Sequence, residues 1–330
     1  MTAAEPVLDL TRQLVARPSL TPDDAGCQEI LRQRLLAAGF ECETLRYGDV
    51  TNLWARLGQD PPLMALAGHT DVVPTGKIER WSSHPFSPET REGFLFGRGA
   101  ADMKAGLAAM TVAAERWARK RSDRTGSLAM LITSDEEGEA VDGTKRVIDE
   151  LCSRGVEIAY CIVGEPSSFQ RLGDQVRIGR RGSLTGRLDV MGRQGHVAFP
   201  ERTPNPIHAT APLLGALANR VWDRGNASFP ATSFQVANVH SGTGAENVIP
   251  GELTADFNFR FNTEQTPAAL QEEVETALRP LSSKFQVELD WSLSGMPFLC
   301  CRGRLLEAVR ESVLEHVGIN PRLSTSGGTS

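Results

Sequence analysis

The sequence has no run of 18 apolar residues, and it does not begin with a basic segment followed by an apolar one. The first absence argues against a helical membrane span, and the second against a secretory signal peptide. Basic residues are also few, since 35 Lys and Arg stand against 41 Asp and Glu, which gives a formal charge of −6. That balance disfavours a nucleic-acid partner. We therefore expect a cytoplasmic protein that binds neither nucleic acid nor membrane.

None of the six cysteines belongs to a Cys-x-x-Cys pair. This absence disfavours a thiolate zinc site, and the scattered spacing disfavours a disulfide framework. We expect buried free thiols instead. Gly97 and Gly99 lack the third glycine and the distal acid of a dinucleotide-binding fingerprint. Neither a thiolate metal site nor a dinucleotide site is indicated.

The most informative segment is an apolar run that ends in three acids. Leu128–Thr133 has the composition of a strand buried on both faces, and Asp135, Glu136 and Glu137 follow it. Open α/β sheets bind ligands at the carboxyl ends of their strands. Two adjacent carboxylates there can divide the work of binding a metal and moving protons. Taken alone, the segment fits a solvated acidic turn equally well.

Three further polar residues stand in comparable positions. His69 follows one apolar run, Glu165 follows another at Tyr160–Val163, and Asp102 precedes a helical pattern over 105–119. Taken singly, they fit a loop histidine, a turn residue and a helix cap. Taken together, an imidazole and several carboxylates suit a zinc site, in which a carboxylate such as Asp102 can bridge two ions.

The order of elements predicts two domains, and 330 residues are enough for two cores. Up to about residue 180, strands alternate with helices, which favours an α/β fold with a mostly parallel sheet. Residues 181–292 follow the order β-α-β-β-α-β, the split βαβ arrangement. We expect these residues to form an α+β domain inserted into a first domain of residues 1–180 and 293–330.

Motifs along the whole chain resemble those of the dinuclear zinc aminoacylase/carboxypeptidase family. The segments that carry the resemblance are 68–74 (GHTDVVP), 97–104 (GRGAADMK), 133–138 (TSDEEG), 164–166 (GEP), 180–183 (RRGS), 194–200 (QGHVAFP), 205–208 (NPIH), 243–251 (TGAENVIPG), 258–261 (NFRF) and 326–330 (SGGTS). The resemblance implies that residues 1–180 and 293–330 form a zinc-hydrolase catalytic domain and that the inserted residues 181–292 form a lid and dimerisation domain. It also implies an amidohydrolase activity.

The same resemblance implies roles for the residues at the predicted strand ends. Asp102 would bridge two zinc ions, for which cobalt can substitute. His69 and Glu165 would complete the site of one ion, and Glu137 would bind the other. Glu136 would be the general base that takes a proton from water and passes it to the departing amine.

Further residues acquire roles in the same way. Asp71 would orient the imidazole of the histidine ligand. His196, in the inserted domain, would reach across a homodimer to stabilise the oxyanion of the tetrahedral intermediate. The residues implied to bind the substrate are Arg180, Ser183, Asn247, Arg260, Gly327, Gly328 and Thr329. The planar fork of arginine suits a small substrate that carries carboxylates.

The family pattern also places one more histidine ligand, for the ion that Glu137 serves, beyond the Gly-Gly-Thr-Ser turn. Four other histidines are not convincing substitutes. No motif supports His84 or His316, while His208 begins a predicted helix and His240 ends a predicted strand of the inserted domain. We therefore expect this ligand, with a closing strand and helix, to lie outside the 330 residues. A weak second zinc site would follow.

The activity implied is zinc-dependent hydrolysis of N-succinyl-LL-2,6-diaminopimelate to succinate and LL-2,6-diaminopimelate, on the route to lysine. An alternative within the same class is deacylation of acetylornithine or another N-acyl amino acid. An alternative from a different class is a catalytically inactive chain that only dimerises or binds a ligand. The expected absence of one histidine ligand supports that last alternative.

Overall fold

The computed structural model describes residues 5–120, 125–300 and 302–325. These residues divide into two compact units, the first ending at Pro166 and the second beginning at Ser167. Among the helices within these ranges, none combines the length and the apolar character that crossing a bilayer requires.

The first unit is a five-stranded sheet with helices packed against it. Its helices are α1 (Glu5–Val15), α2 (Cys27–Ala37), α3 (Ala105–Arg119) and α4 (Thr144–Ser153). Its strands are β1 (Glu41–Tyr47), β2 (Val50–Leu57), β3 (Leu63–His69), β4 (Glu89–Arg91), β5 (Phe94–Phe96), β6 (Ser127–Thr133) and β7 (Tyr160–Val163). The sheet has the order β1-β2-β6-β3-β7, while β4 and β5 form a separate hairpin.

The sheet of this unit is mixed. Strand β3 runs parallel to both β6 and β7, whereas β2 is antiparallel to both β1 and β6. The predicted α/β class is confirmed, but the sheet is not mostly parallel. Only Gly48 and Asp49 connect β1 to β2, and so short a link can join only antiparallel strands. Gly48 supplies the positive φ, 56°, that such a turn requires.

Strand β6 is buried on both faces, as its apolar run predicts. Leu128, Met130 and Ile132 enter the cluster that α1, α2 and α3 cover. Ala129 and Leu131 enter a second cluster, which includes residues of α4. Because successive side chains of a strand point to opposite faces, β6 serves two cores. Its carboxyl end is therefore held firmly in place.

A buried lysine connects the start of α3 to the end of α1. The Nζ atom of Lys104 donates hydrogen bonds of 2.9 Å to the carbonyl oxygens of Leu14 and Arg17. Burial lowers the pKa of Lys104, whereas carbonyls at a helix C-terminus favour a cation. We expect Lys104→Met to lower the free energy of unfolding by about 1–3 kcal/mol, because one buried and one partly buried carbonyl lose their donor.

Urea unfolding of the purified chain measures this effect. The matched control is Lys120→Met, since Lys120 is exposed just after α3 and a surface change of this kind stays within about 0.5 kcal/mol. Equal unfolding free energies for the two variants would show that the buried ammonium does not support the fold.

The second unit is an α+β layer. Its helices are α5 (Pro206–Ala218), α6 (Pro267–Leu278) and α7 (Arg304–Val317). Its strands are β8 (Gln175–Arg177), β9 (Gly179–Arg180), β10 (Gly182–Met191), β11 (Gly195–His196), β12 (Ser233–Ser241), β13 (Val248–Ile249), β14 (Glu252–Phe261), β15 (Gln286–Gly295), β16 (Phe298–Leu299) and β17 (Arg322–Ser324). Strands β12-β14-β10-β15 form an antiparallel sheet. The order β10-α5-β12-β14-α6-β15 confirms the predicted β-α-β-β-α-β pattern.

One face of this sheet is buried and the other is more open. Phe257, Phe259 and Phe261 alternate along β14 and enter the core shared with α5 and α6. Asn258 and Arg260 lie between them on the opposite face and are partly exposed. The open face thus carries polar side chains that a ligand can reach.

The boundary of the second unit differs from the predicted domain boundary. Residues 293–325 fall in the second unit because β16 pairs with β9 and β17 pairs with β8. The predicted division places 1–180 and 293–330 in a catalytic domain and 181–292 in a lid. That division is by function, and it stays a prediction.

The cysteines of the described ranges are free, but the expectation that they are buried is wrong for most of them. Cys27 is fully buried, whereas Cys152, Cys161 and Cys300 are exposed. Cys152 lies near the end of α4, and Cys161 lies on β7 at one edge of the sheet. Helix ends and edge strands leave side chains in contact with solvent. Cys301 lies outside the described residues.

Candidate metal centre

The candidate site lies at the carboxyl ends of three neighbouring parallel strands. His69 is the last residue of β3, and Glu165 lies two residues after the end of β7. Glu136 and Glu137 follow β6. The fifth residue, Asp102, lies in an irregular turn before α3 with extended backbone angles, φ −115° and ψ 105°. The structure thus brings together five side chains that the sequence spreads over almost 100 positions.

His69 is at the centre of the cluster and is fully buried. Its Nε2 atom lies 3.4 Å from Oδ1 of Asp102, 3.4 Å from Oε1 of Glu165 and 3.8 Å from Oε2 of Glu136. Ligand atoms within 4.8 Å of one another form two groups. One group is His69, Glu136 and Glu165, and the other is His69, Asp102 and Glu137. Each group has three donors, which is the number a catalytic zinc normally takes from a protein.

Asp71 connects the histidine to the acidic loop. Its Oδ1 atom lies 3.4 Å from Nδ1 of His69, and its backbone carbonyl lies 2.9 Å from the same nitrogen. The Asp71 carboxylate also accepts hydrogen bonds from the backbone N–H of Glu136 and of Glu137, at 3.1 and 3.0 Å. One buried carboxylate therefore orients the imidazole and positions both glutamates.

Asp135 is a positioning residue to which sequence reasoning gave no role of its own. It is buried directly after β6 and accepts hydrogen bonds from the backbone N–H groups of Ala140, Val141 and Asp142. These bonds fold the loop that carries Glu136 and Glu137. The sequence shows only an acid among acids, and nothing in the pattern separates a carboxylate that binds its own loop from one that faces a ligand.

The protonation equilibria reflect the crowding of acids. Burial first, and then the charges of Glu165 and Glu137, raise the pKa of Glu136 to about 7, although His69 acts to lower it. Burial first and neighbouring carboxylates second also raise the pKa of Glu137 and of Asp102. The cluster therefore carries more negative charge than its surroundings stabilise unless a cation lies nearby.

The histidine and its partner shift in the opposite sense. Burial by itself would lower the pKa of His69, but the nearby carboxylates of Asp71 and Glu165 raise it to about 11. Although burial opposes the change, hydrogen bonds from His69 and from the Glu137 N–H hold the pKa of Asp71 below its usual value. Both shifts express an unmet demand for positive charge at the cluster.

The residues fit a metal ion. The Nε2 atom of His69 is buried and has no hydrogen-bond partner, although it faces Asp102 and Glu165 at 3.4 Å. A buried polar atom without a partner is costly unless it binds something. An imidazole with carboxylates and no thiolate is a donor set suited to zinc and related divalent ions. A divalent cation would satisfy the orphaned nitrogen and neutralise the acids.

The second unit carries the residues expected to contact the substrate. Ser183 and Arg260 are directly opposite each other on β10 and β14, and Arg180 lies on β9. His196 and Asn247 are exposed, in and beside the short ladder of β11 with β13. Gly327, Gly328 and Thr329 lie outside the described residues.

A mixed α/β sheet with a histidine and three glutamates at its strand ends, and an aspartate in the turn before α3, is an arrangement suited to a metallohydrolase. Residues 65–330 match the sequence model of peptidase family M20/M25/M40, and the chain belongs to that family. The family resemblance noted from the motifs is thereby confirmed.

Named relatives and solved structures agree with this assignment. The succinyl-diaminopimelate desuccinylase of Bordetella bronchiseptica is 55% identical over 330 residues, which is 100% of this chain and 86% of that protein. The enzyme of the same name from Thioalkalivibrio sulfidiphilus is 53% identical over 323 residues, covering 98% of this chain and 85% of that protein. An M20 family metallo-carboxypeptidase from Sulfolobus solfataricus has a TM-score of 0.82 at 17% identity, with 100% of this chain and 87% of that chain covered. A dinuclear metal-binding peptidase of this family from Bacillus subtilis has a TM-score of 0.72 at 16% identity, with 98% and 83% covered.

Proposed function

We propose that the chain hydrolyses the amide bond of N-succinyl-LL-2,6-diaminopimelate, giving succinate and LL-2,6-diaminopimelate for lysine synthesis. The buried imidazole facing carboxylates supports the reaction type, since its Nε2 atom has no partner but is aimed at Asp102 and Glu165. The substrate rests on identities of 52–55% to proteins that carry the desuccinylase name.

His69, Asp102, Glu137 and Glu165 would hold two zinc ions, with cobalt as a possible substitute. The family resemblance assigns the bridging position to Asp102, whose side chain is 57% exposed and lies 3.4 Å from Nε2 of His69. When bound, such ions polarise an amide carbonyl and acidify water. The remaining chemistry belongs to side chains of the chain itself.

Glu136 is the proposed general base. Its carboxylate is partly buried beside the candidate ligands, and a carboxylate in such a position can accept a proton from water and return it. Glu136 would take a proton from water and pass it to the departing amine. Hydrogen bonds from the N–H groups of Glu136 and Glu137 to Asp71 fix the backbone of both glutamates, so the two side chains act from fixed positions.

Arginines of the second unit would bind the substrate carboxylates. Arg260 lies on the partly open face of the sheet opposite Ser183, and Arg180 lies on β9, which precedes β10 in sequence and pairs with β16. A guanidinium group can hold a carboxylate through two parallel hydrogen bonds. Asn247 and the segment Gly327–Thr329 would add neutral donors. A substrate with three carboxylates needs several such partners.

Hydrolysis of two acyl substrates tests the proposal. We expect the zinc-loaded chain to release succinate from N-succinyl-LL-2,6-diaminopimelate much faster than it releases acetate from N-acetylornithine. Dialysis against a chelator should abolish the reaction, and zinc or cobalt should restore it. Preference for the acetyl substrate would support the alternative deacylase. Metal binding without turnover on either substrate would support an inactive ligand-binding chain.

His196 is proposed to act from one protomer of a homodimer on the site of the other. The motivation is its position in the second unit, exposed on β11, whereas the metal cluster belongs to the first unit. Mixing His196→Ala protein with Glu136→Gln protein should restore activity, because a hybrid dimer has one site with both residues intact. Removal of an oxyanion donor lowers turnover by about 100-fold to 1,000-fold, so recovery is easily measured.

The control for this mixture is His240→Ala, since His240 is exposed on β12 of the same unit and has no proposed role. That variant should keep its activity without any mixing. Light scattering and a tagged-subunit exchange assay establish that hybrids form. Hybrids that form without recovery of activity would mean that His196 does not act across the interface.

A further inference from the structure

A single buried methionine lies under the strand ends that carry the candidate ligands. Met103 directly follows Asp102 and is fully buried. Its sulfur atom accepts a hydrogen bond from the backbone N–H of His69, with an N–S distance of 3.4 Å. The residue is therefore covalently joined to one proposed ligand and hydrogen-bonded to the backbone of another.

The methionine methyl group fills space that glycines leave open beside two ligands. A Cβ atom on Gly68, the residue before His69, would lie 2.3 Å from Cε of Met103. A Cβ atom on Gly164, the residue before Glu165, would lie 2.5 Å from Cε of Met110 and 2.9 Å from Cε of Met103. Distances below 3.0 Å are steric clashes, so a side chain on Gly68 would displace Met103, and one on Gly164 would displace both methionines.

A third glycine completes the packing at the start of α3. A Cβ atom on Gly106 would lie 3.6 Å from Cε of Met103 and 2.4 Å from the carbonyl oxygen of Gly164. The first turn of α3 thus packs closely on the backbone beside Glu165. All three glycines line the site of one methyl group, and two of them directly precede a candidate ligand.

We propose that Met103 is a positioning residue that sets the spacing of His69, Asp102 and Glu165. The inference rests on the proposed metal-binding role of these three residues. Methionine suits the task because its unbranched, polarisable side chain fills an irregular gap and its sulfur accepts a weak hydrogen bond. Leucine has a similar volume, but its branched end cannot follow the same path and offers no acceptor to the His69 N–H.

The alternative is that Met103 is an ordinary core side chain. The chain offers a matched comparison in Met130, which is also fully buried and belongs to the same hydrophobic cluster. Met130 lies in the middle of β6, three residues before the strand ends. A loss that comes only from looser packing would affect Met103→Leu and Met130→Leu alike.

The test compares zinc affinity in the wild-type chain, Met103→Leu and Met130→Leu by competition with a chromophoric chelator. Visible absorption of the cobalt-loaded proteins reports ligand geometry independently of turnover. We expect Met103→Leu to bind the metal about 10-fold to 100-fold more weakly, which is the usual effect of disturbing groups that orient ligands. Its cobalt spectrum should also change, while Met130→Leu should match the wild type in both measurements.

Each outcome has a definite meaning. Wild-type affinity and spectrum in Met103→Leu would overturn the proposal, as would equal losses in both variants. A wild-type chain that binds no metal would instead contradict the proposed function. If Met103→Leu does not fold, methionine-methyl NMR of the wild-type chain replaces it, with resonances assigned by substituting the other methionines. A shift of the Met103 methyl on adding zinc, without one at Met130, supports the proposal, and an unchanged Met103 signal overturns it.

Discussion

Glu136→Gln is expected to lower turnover by about 100-fold or more, the usual contribution of a positioned general base, and to leave zinc content unchanged. Glutamine keeps the size and hydrogen-bonding shape of the side chain but cannot accept the proton. The backbone N–H of residue 136 still donates to Asp71, so the loop should keep its fold. Initial rates on the succinyl substrate, together with zinc measured by elemental analysis, test both halves of the expectation.

The control is Glu139→Gln in the same loop, since Glu139 is exposed and has no proposed role. It should keep both turnover and zinc. The geometry makes the zinc measurement decisive, because Glu136 also belongs to one of the two groups close enough to bind a metal, with His69 and Glu165. Loss of zinc from Glu136→Gln would identify Glu136 as a ligand, and retained turnover would end its assignment as the base.

Asp71→Asn is expected to weaken zinc binding by about 10-fold to 100-fold and to lower activity at least as far. The Asp71 carboxylate faces three N–H donors, one on the His69 ring and two on the backbone of Glu136 and Glu137. An asparagine has only one oxygen that can accept from them. Its NH2 group would instead face one of these N–H donors. Zinc affinity measured by competition with a chelator tests the expectation directly.

Asp49→Asn provides the comparison, since Asp49 is exposed in the turn between β1 and β2. It removes the same charge without touching the cluster, so its zinc affinity should equal that of the wild type. An Asp71→Asn chain with normal zinc affinity would show that the ligands keep their orientation without the carboxylate, and the role of Asp71 would then be confined to the fold.

Local patterns predicted much of the fold because they depend on local physics. Helix α3 begins at Ala105 and ends at Arg119, as the apolar periodicity predicts. Apolar runs such as Ser127–Thr133 became strands, because a continuous apolar segment of this length buries both faces in a sheet. The polar residues that follow these runs therefore lie at strand ends.

The sequence by itself determined which side chains the site contains. An imidazole and carboxylates placed after apolar runs, with no cysteine among them, restrict the chemistry to a hard metal site and proton transfer. Only the tertiary structure decided how these residues meet. Strands β6, β3 and β7 had to become parallel neighbours, and register between distant strands depends on packing that no local pattern encodes. The positioning residues could not be predicted for the same reason. Asp135 binds its own loop, and Met103 fits beneath three glycines. Such contacts exist only once distant segments have folded together.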